Sequence, residues 1–293
     1  MTAEKIKTGV PGLDEMLEGG LIPGRPYIVS GASGTGKTTL SLQFLVEGAR
    51  NRERILYVAL DEPPNEVRKN MEAYGLDLSG IMVFDATPDV MNYEKTPVRD
   101  VSTERKPARL ADVPDIIRQS PERNPADISI NTLQETLKQE MRVGKYTRVV
   151  IDSLTSLRYF YVRTSEEDAA LQSFLRVLSD LKVTSILTVQ LPEIPSPCTE
   201  TYVARGEIRL HKWFEGRGLA RGITVEKFRG SSHDHRLRSL KMGSDGLKVV
   251  IQHRHSRKAD ERSGEHAPPL DKSSDGKAPA SGDEGAAHGG DGI

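Results

Sequence analysis

The chain has 293 residues, 36% of them hydrophobic and 28% charged, and its 41 basic and 42 acidic side chains leave a net charge of -1. That is enough apolar sequence for a sizeable core in one large domain or two small ones, and too even a charge for a strongly basic nucleic-acid binder. No window approaches the roughly eighteen consecutive apolar residues of a membrane span. The opening MTAEKIKTGV lacks the apolar stretch of a secretory signal. The single cysteine, Cys198, excludes an internal disulfide framework and a cysteine-rich zinc site. A cytoplasmic protein that does not engage membranes is the expectation.

In chain order, Tyr27 to Ser30 is predicted as a short strand and Thr38 to Arg50 as a helix with Leu40 and Phe44 on one face. Ile55 to Leu60 is a continuous apolar run, the pattern of a strand buried on both faces. A helix over Glu66 to Tyr74 stops at Gly75, and Ile81 to Phe84 is a further strand. From Asp85 the pattern breaks into a stretch rich in proline and charge. Within this insertion, about residues 88–129, Leu110 to Gln119 could form a short helix. Alternation then resumes with a helix over Ile130 to Val143, a strand over Arg148 to Ile151, a helix over Ala169 to Lys182 and a strand over Thr184 to Val189. Strands at Ile208 to Trp213, Arg221 to Phe228 and Leu247 to Ile251 finish the sheet. The order implies an α/β domain over residues 1–252, with a mostly parallel twisted sheet, helices on both faces and a C-terminal antiparallel extension. Residues 253–293, poor in branched and aromatic side chains, read as a disordered polar tail.

One motif dominates. Gly31-Ala32-Ser33-Gly34-Thr35-Gly36-Lys37-Thr38 fits G-x-x-x-x-G-K-[ST] at every fixed position, and Thr39 continues into the helix. Glycines let successive backbone N–H groups curl around a polyphosphate, and the helix N-terminus adds its dipole. Lys37 supplies a charge for the β- and γ-phosphates, and the Thr38 hydroxyl can ligate Mg2+. ATP with Mg2+ is the expected ligand. Asp152, closing the strand RVVI, is the second candidate for the metal. Asp61 and Glu62 end the buried run ILYVAL, on the ligand side of a parallel sheet. Glu62 is the favoured base for activating water and Asp61 its support. Gln190 reads equally as a γ-phosphate sensor or an ordinary strand-end residue. His233/His235 and His253/His255 lack the carboxylate or cysteine companions of a zinc site.

Together these residues resemble the RecA-like P-loop ATPases, and within them the single-domain, archaeal KaiC-like branch. Three further stretches carry the resemblance: Thr8 to Asp14 with Gly19 to Pro23, Ile151 to Leu154, and Lys227-Phe228-Arg229-Gly230-Ser231-Ser232-His233. It extends over about residues 5 to 251. It implies a homo-oligomer, a hexameric ring in the family, with one nucleotide between neighbouring subunits. It also implies that Lys227 and Arg229 act on the neighbour's γ-phosphate, and that an unidentified protein partner receives a signal from slow ATP turnover. A KaiC-type autokinase would use hydroxyls upstream of these cations. Ser196, Thr199 and Thr201 stand there, but the family's Ser-Thr pair is not clearly reproduced. A DNA-repair accessory role is a third reading, not favoured by the balanced charge. The basic run Arg205, Arg209, His211, Lys212, Arg217 and Arg221, with Trp213 and Phe214, reads better as a subunit interface or solvated face. A fourth reading is a nucleotide-binding scaffold with little turnover.

Overall fold

A computed structural model describes residues 4–87, 107–112, 130–161, 167–191 and 204–251. Most of the Pro-rich insertion, the hydroxyls Ser196, Thr199 and Thr201, the pair His253/His255 and the C-terminal tail lie outside the described residues.

Five strands form the parallel centre: β1 (Pro26–Gly31), β2 (Ile55–Ala59), β3 (Met82–Asp85), β5 (Arg148–Asp152) and β6 (Thr184–Gln190). Every residue of β1, β2 and β5 is buried. Period-two alternation divides their side chains between two cores. Tyr27, Val29, Tyr57 and Val150 face one core with Leu40, Phe44 and Leu45 of helix α2 (Lys37–Arg50). Ile28, Leu56, Val58, Val149 and Ile151 face the other. There they meet Leu133 and Leu137 of α4 (Ile130–Gly144), Leu157 of α5 (Leu154–Tyr161) and Leu171 and Phe174 of α6 (Glu167–Asp180).

The remaining strands are β4 (Ala108–Arg109), β7 (Gly206–Glu215), β8 (Gly218–Phe228), β9 (Arg238–Gly243) and β10 (Gly246–Val250), giving the order β10-β9-β8-β7-β1-β6-β5-β2-β3-β4. β7 runs parallel to β1, and from it β8, β9 and β10 turn back antiparallel. The β7–β8 ladder is interrupted between Glu207 and Ile208: Glu207 faces Lys227, whereas Ile208 faces Val225, leaving Glu226 as the extra residue of a bulge. The bulge reverses which face each following residue takes. Val225 and Phe228 therefore both enter the same core despite their odd spacing, and Phe228 meets the Tyr27 ring at 5.8 Å between centroids. Lys227 is left on the opposite face.

Boundaries moved where local chemistry outweighed periodicity. The helix expected from Glu66 is α3 (Pro64–Glu72), with Pro64 in the first turn, where its missing N–H costs nothing. Leu110, expected to open a helix, lies instead in a 3-10 turn over Leu110–Asp112. It follows β4, which pairs Met82 with Arg109 at the sheet edge, and the Leu110 side chain is fully buried. The described part of the insertion is thus joined to the sheet. The short helix α1 (Leu13–Met16), α5 and β9 had no expectation from the sequence.

Candidate functional site

Parallel register brings the carboxyl ends of β1, β5 and β2 to one edge of the sheet. Gly31 lies beside Gln190, and Asp152 beside Ala59, two residues before Asp61. The loop 31–36 leaves this edge and enters α2. Gly36 caps the helix with φ 104°, in the left-handed region where a side chain would be strained. A Cβ on Gly31 would stand 2.5 Å from the Leu210 carbonyl oxygen, so β7 packs directly against the start of the loop. Thr35 ties the loop internally, its Oγ1 donating to the Ala32 carbonyl at 2.9 Å.

Lys37 Nζ donates to the carbonyls of Gly31 and Ala32 at 2.9 and 3.0 Å. Burial lowers its proton affinity, the carboxylates of Asp152 and Asp61 counteract this, and nearby Lys212 adds to the depression. Thr38 Oγ1 donates to Asp152 Oδ2 at 2.8 Å. The same oxygen accepts from the Tyr57 hydroxyl at 2.8 Å, and Oδ1 accepts from Thr188 Oγ1. Three hydroxyls from three elements therefore fix the Asp152 carboxylate. Burial first, then the Asp152 charge, holds the Tyr57 phenol well above its ordinary pKa, so it remains a donor.

The two carboxylates after β2 diverge. Asp61 Oδ1 accepts from Ser156 Oγ at 2.9 Å, and Ser156 is itself joined to Ser153, so Asp61 is anchored to α5. Among the described residues Glu62 has one hydrogen bond, from Asn70 Nδ2 of α3 at 3.3 Å. Its pKa is raised, chiefly by desolvation, with repulsion from Asp152, Asp61 and Glu66 contributing and Asn70 opposing. Thr38, Lys37, Asp61, Glu62 and Asp152 all line one cleft of about 500 Å3. Thr39 and Gln190 reach it as well, and Met71, Tyr74 and Met242 form an apolar part of its wall.

Two expected site residues are elsewhere. Lys227 lies opposite Glu207, which is itself opposite Ile28 of β1, three residues before the loop begins. Arg229 follows the end of β8, where its carbonyl accepts from Arg25 Nη1 at 2.8 Å. Both belong to the opposite edge of the sheet from the cleft. Burial and the neighbouring Arg229 and Arg205 charges lower the Lys227 pKa. His233 packs edge-on to Phe228 at 6.2 Å, away from the cleft.

Arg221 was read in the sequence as part of a solvated or interfacial face, yet it lines the cleft. Its Nη2 lies 3.5 Å from the Gly34 carbonyl oxygen, and Lys212 Nζ donates to the Ser33 carbonyl at 2.7 Å. The signal was alternation: Ile208-Leu210-Lys212 and Val225-Ile223-Arg221 are the core-facing stripes of two paired strands.

The family described as "ATPase: KaiC" matches residues 6–254. The chain is 31% identical to a UPF0273 protein of Thermotoga maritima, over 84% of this chain and 96% of that one. It is 32% identical to a UPF0273 protein of Pyrococcus horikoshii, over 84% and 93%. Identity to the circadian clock oscillator protein KaiC 1 of Synechocystis is 28%; the match spans 84% of this chain but only 44% of the clock protein. The crystal structure of a KaiC-like protein from Pyrococcus horikoshii shares the fold, with a TM-score of 0.66 at 23% identity, over 85% of this chain and 100% of that one.

Proposed function

Since the chain belongs to the KaiC family of ATP-binding P-loop ATPases, we propose that it hydrolyses ATP with Mg2+ and shares each nucleotide between neighbouring copies of itself in a ring. The observation that carries the reading is the meeting of Lys37, the Thr38–Asp152 pair and Glu62 in one cleft at the carboxyl edge of the sheet.

The donor set suits a hard cation: a hydroxyl and a carboxylate, both oxygen, with phosphate oxygens to complete the shell. Among the described residues there is no cluster of three or more His, Cys, Asp or Glu that could hold a metal without such help. Thr38 and Asp152 would hold Mg2+, which supplies charge neutralisation across the β- and γ-phosphates. Lys37 carries its charge to the same phosphates once it exchanges its two loop carbonyls for them. Among the described residues Glu62 is the one carboxylate of the three without a hydroxyl anchor, and its raised pKa makes it a stronger base than an ordinary carboxylate. It takes the proton from water or orients it, while Asp61 stays fixed by Ser156.

Sharing between copies rests on distance. From Arg221, beside the cleft, to Lys227 is six residues of strand, about 20 Å at roughly 3.4 Å each. Lys227 and Arg229 therefore serve a nucleotide other than their own, as cations supplied to the transferring phosphoryl group of the adjacent copy. Turnover is slow and its output is assembly or conformation, received by another protein.

Complementation tests this. Lys37→Ala and Arg229→Ala are each inactive alone. Mixed, they regain part of the turnover, because some interfaces pair an intact loop with an intact Arg229. An assembled Arg229→Ala protein with wild-type turnover overturns the shared site. With γ-labelled ATP, label appears as free phosphate; label retained on the protein would instead identify an autokinase.

A further inference from the structure

We infer that Arg25 is a positioning residue for the outward cations: it holds the main chain of Arg229 so that this side chain is presented to the neighbouring copy. The inference rests on the reading that neighbouring copies share each nucleotide.

Three observations converge. First, both main-chain groups of Arg229 are engaged. Its N–H donates to the Arg205 carbonyl at 2.8 Å, one step beyond the Gly206–Phe228 pair that ends the β7–β8 ladder. Its carbonyl accepts from Arg25 Nη1 at 2.8 Å. Arg25 is itself rooted in the sheet. Its carbonyl accepts from the Ser185 N–H of β6 at 3.1 Å, and the next residue, Pro26, opens β1. A hydrogen bond from a charged donor thus ties the residue after β8 to the parallel centre.

Second, the turn is shaped around that guanidinium. Gly230 has φ 88°, in the left-handed region. A Cβ there would stand 2.9 Å from Arg25 Nη1, so Arg25 takes space that only a glycine leaves.

Third, the residues on either side of Arg229 are fixed by other partners. Before it, Phe228 is buried against Tyr27, and Lys5 Nζ lies 5.3 Å from its ring centroid. After it, Lys5 Nζ donates to Ser231 Oγ at 2.7 Å and to the Leu17 carbonyl at 2.6 Å, and the Asp234 N–H donates to the Met16 carbonyl at 2.8 Å. Arg25 holds the peptide between these anchors, and Arg229 is exposed there. The clamp also adds a cation to an edge that already carries Arg205, Lys227 and Arg229, where burial and then the Arg229 and Arg205 charges lower the Lys227 pKa. A neutral donor would hold the turn without adding charge. A cation suits an edge that meets a polyphosphate.

The test is turnover of Arg25→Ala in the assembled state, alone and mixed with Lys37→Ala or Arg229→Ala. Alone, turnover falls about a hundredfold, the size expected when a reacting group is misplaced by about 1 Å. Affinity for a non-hydrolysable ATP analogue, measured by calorimetric titration, stays within about twofold of wild type. Arg25→Lys recovers part of the turnover, since a charged donor returns without the guanidinium plane. Mixed with Lys37→Ala, Arg25→Ala regains turnover, because some interfaces pair its intact loop with an intact edge. Mixed with Arg229→Ala it does not, because both defects lie at the same edge. Unchanged melting temperatures establish that the variants are folded; if Arg25→Ala is not, Arg25→Lys and Arg25→Gln carry the comparison. Wild-type turnover in the assembled Arg25→Ala protein overturns the inference. So does a loss that mixing with Lys37→Ala leaves in place, which would assign Arg25 to its own chain's cleft. If Lys37→Ala and Arg229→Ala themselves fail to complement, the shared site is overturned first and the inference falls with it.

Discussion

The two ends of β8 carry the same kind of residue toward different destinations. At one end Arg221 turns onto the phosphate loop of its own chain, within 3.5 Å of Gly34. At the other, Lys227 and Arg229 lie at the opposite edge of the sheet, with Arg229 exposed. Neither set can substitute for the other across about 20 Å of strand. The parallel half of the sheet carries the phosphate loop, Asp152 and Glu62 around one cleft. The antiparallel half carries two sets of cations, one beside that cleft and one at the far end of β8. The lesson is that a motif match to a basic segment does not say which cations lie beside the chain's own cleft; strand register does.

The largest effect should come from the outward set. Arg229→Ala is expected to lower turnover about a thousandfold or more, in line with other cations supplied in trans. ATP binding to the isolated chain should survive, and phosphate release in the assembled state is the measurement. A matching loss in a dilute, unassembled protein would break the comparison.

On the parallel half, Glu62→Gln should reduce turnover by about a hundredfold to ten-thousandfold, with Asp61→Asn less affected. In wild type the acid limb of the pH–rate profile should lie above the ordinary carboxylate range, because the Glu62 pKa is raised. Glu62→Gln should abolish that limb. The stability consequence has a definite sign. A raised folded-state pKa favours folding while Glu62 is protonated, and that contribution disappears as pH rises through the folded value. Glu62→Gln should therefore raise the melting temperature at neutral pH and not at acid pH, which scanning calorimetry checks.

Two smaller effects separate scaffold from site. Arg148, 1% exposed, is held by Glu53 at 2.6 and 2.8 Å and donates to the carbonyls of Lys7 and Phe44. Arg148→Ala leaves these acceptors unpaired and should cost about 3–5 kcal/mol in denaturant unfolding, with ATP affinity retained under native conditions. Tyr57→Phe removes one of three hydroxyls on Asp152 and should cost about 1 kcal/mol. If Tyr57 positions the metal ligand, the variant also needs more Mg2+ for half-maximal nucleotide binding. An unchanged Mg2+ requirement would make Tyr57 scaffold alone.

The parallel half was legible because its chemistry is local. A phosphate loop is defined by eight consecutive residues, and fully buried strands such as ILYVA are uniform apolar runs. Asp152 and Glu62 followed from strand ends. What separates Asp61 from Glu62 is the anchor of Asp61, Ser156, which lies 95 positions away, and no spacing rule reaches it. Thr188 and Tyr57 were invisible as Asp152 partners for the same reason. β9, RSLKMG, was missed because its exposed and buried positions alternate on a polar background. Arg221 was readable in principle, by extending the stripe from Val225 and Ile223, but the surrounding run of basic residues masked it. Leu110 is buried through pairing at the sheet edge, which a local reading of a Pro-rich stretch does not anticipate.

The bulge at Glu226 has a consequence for heredity as well as for shape. Whether Lys227 and Arg229 point outward or inward depends on a count, one extra residue, rather than on what that residue is. Substituting Glu226 by almost any side chain should preserve their direction. Deleting it would reverse the parity of everything after Val225, turning Phe228 to solvent and Lys227 into the apolar core. This strand should therefore tolerate many spelling changes at one position and no frame change of a single codon there.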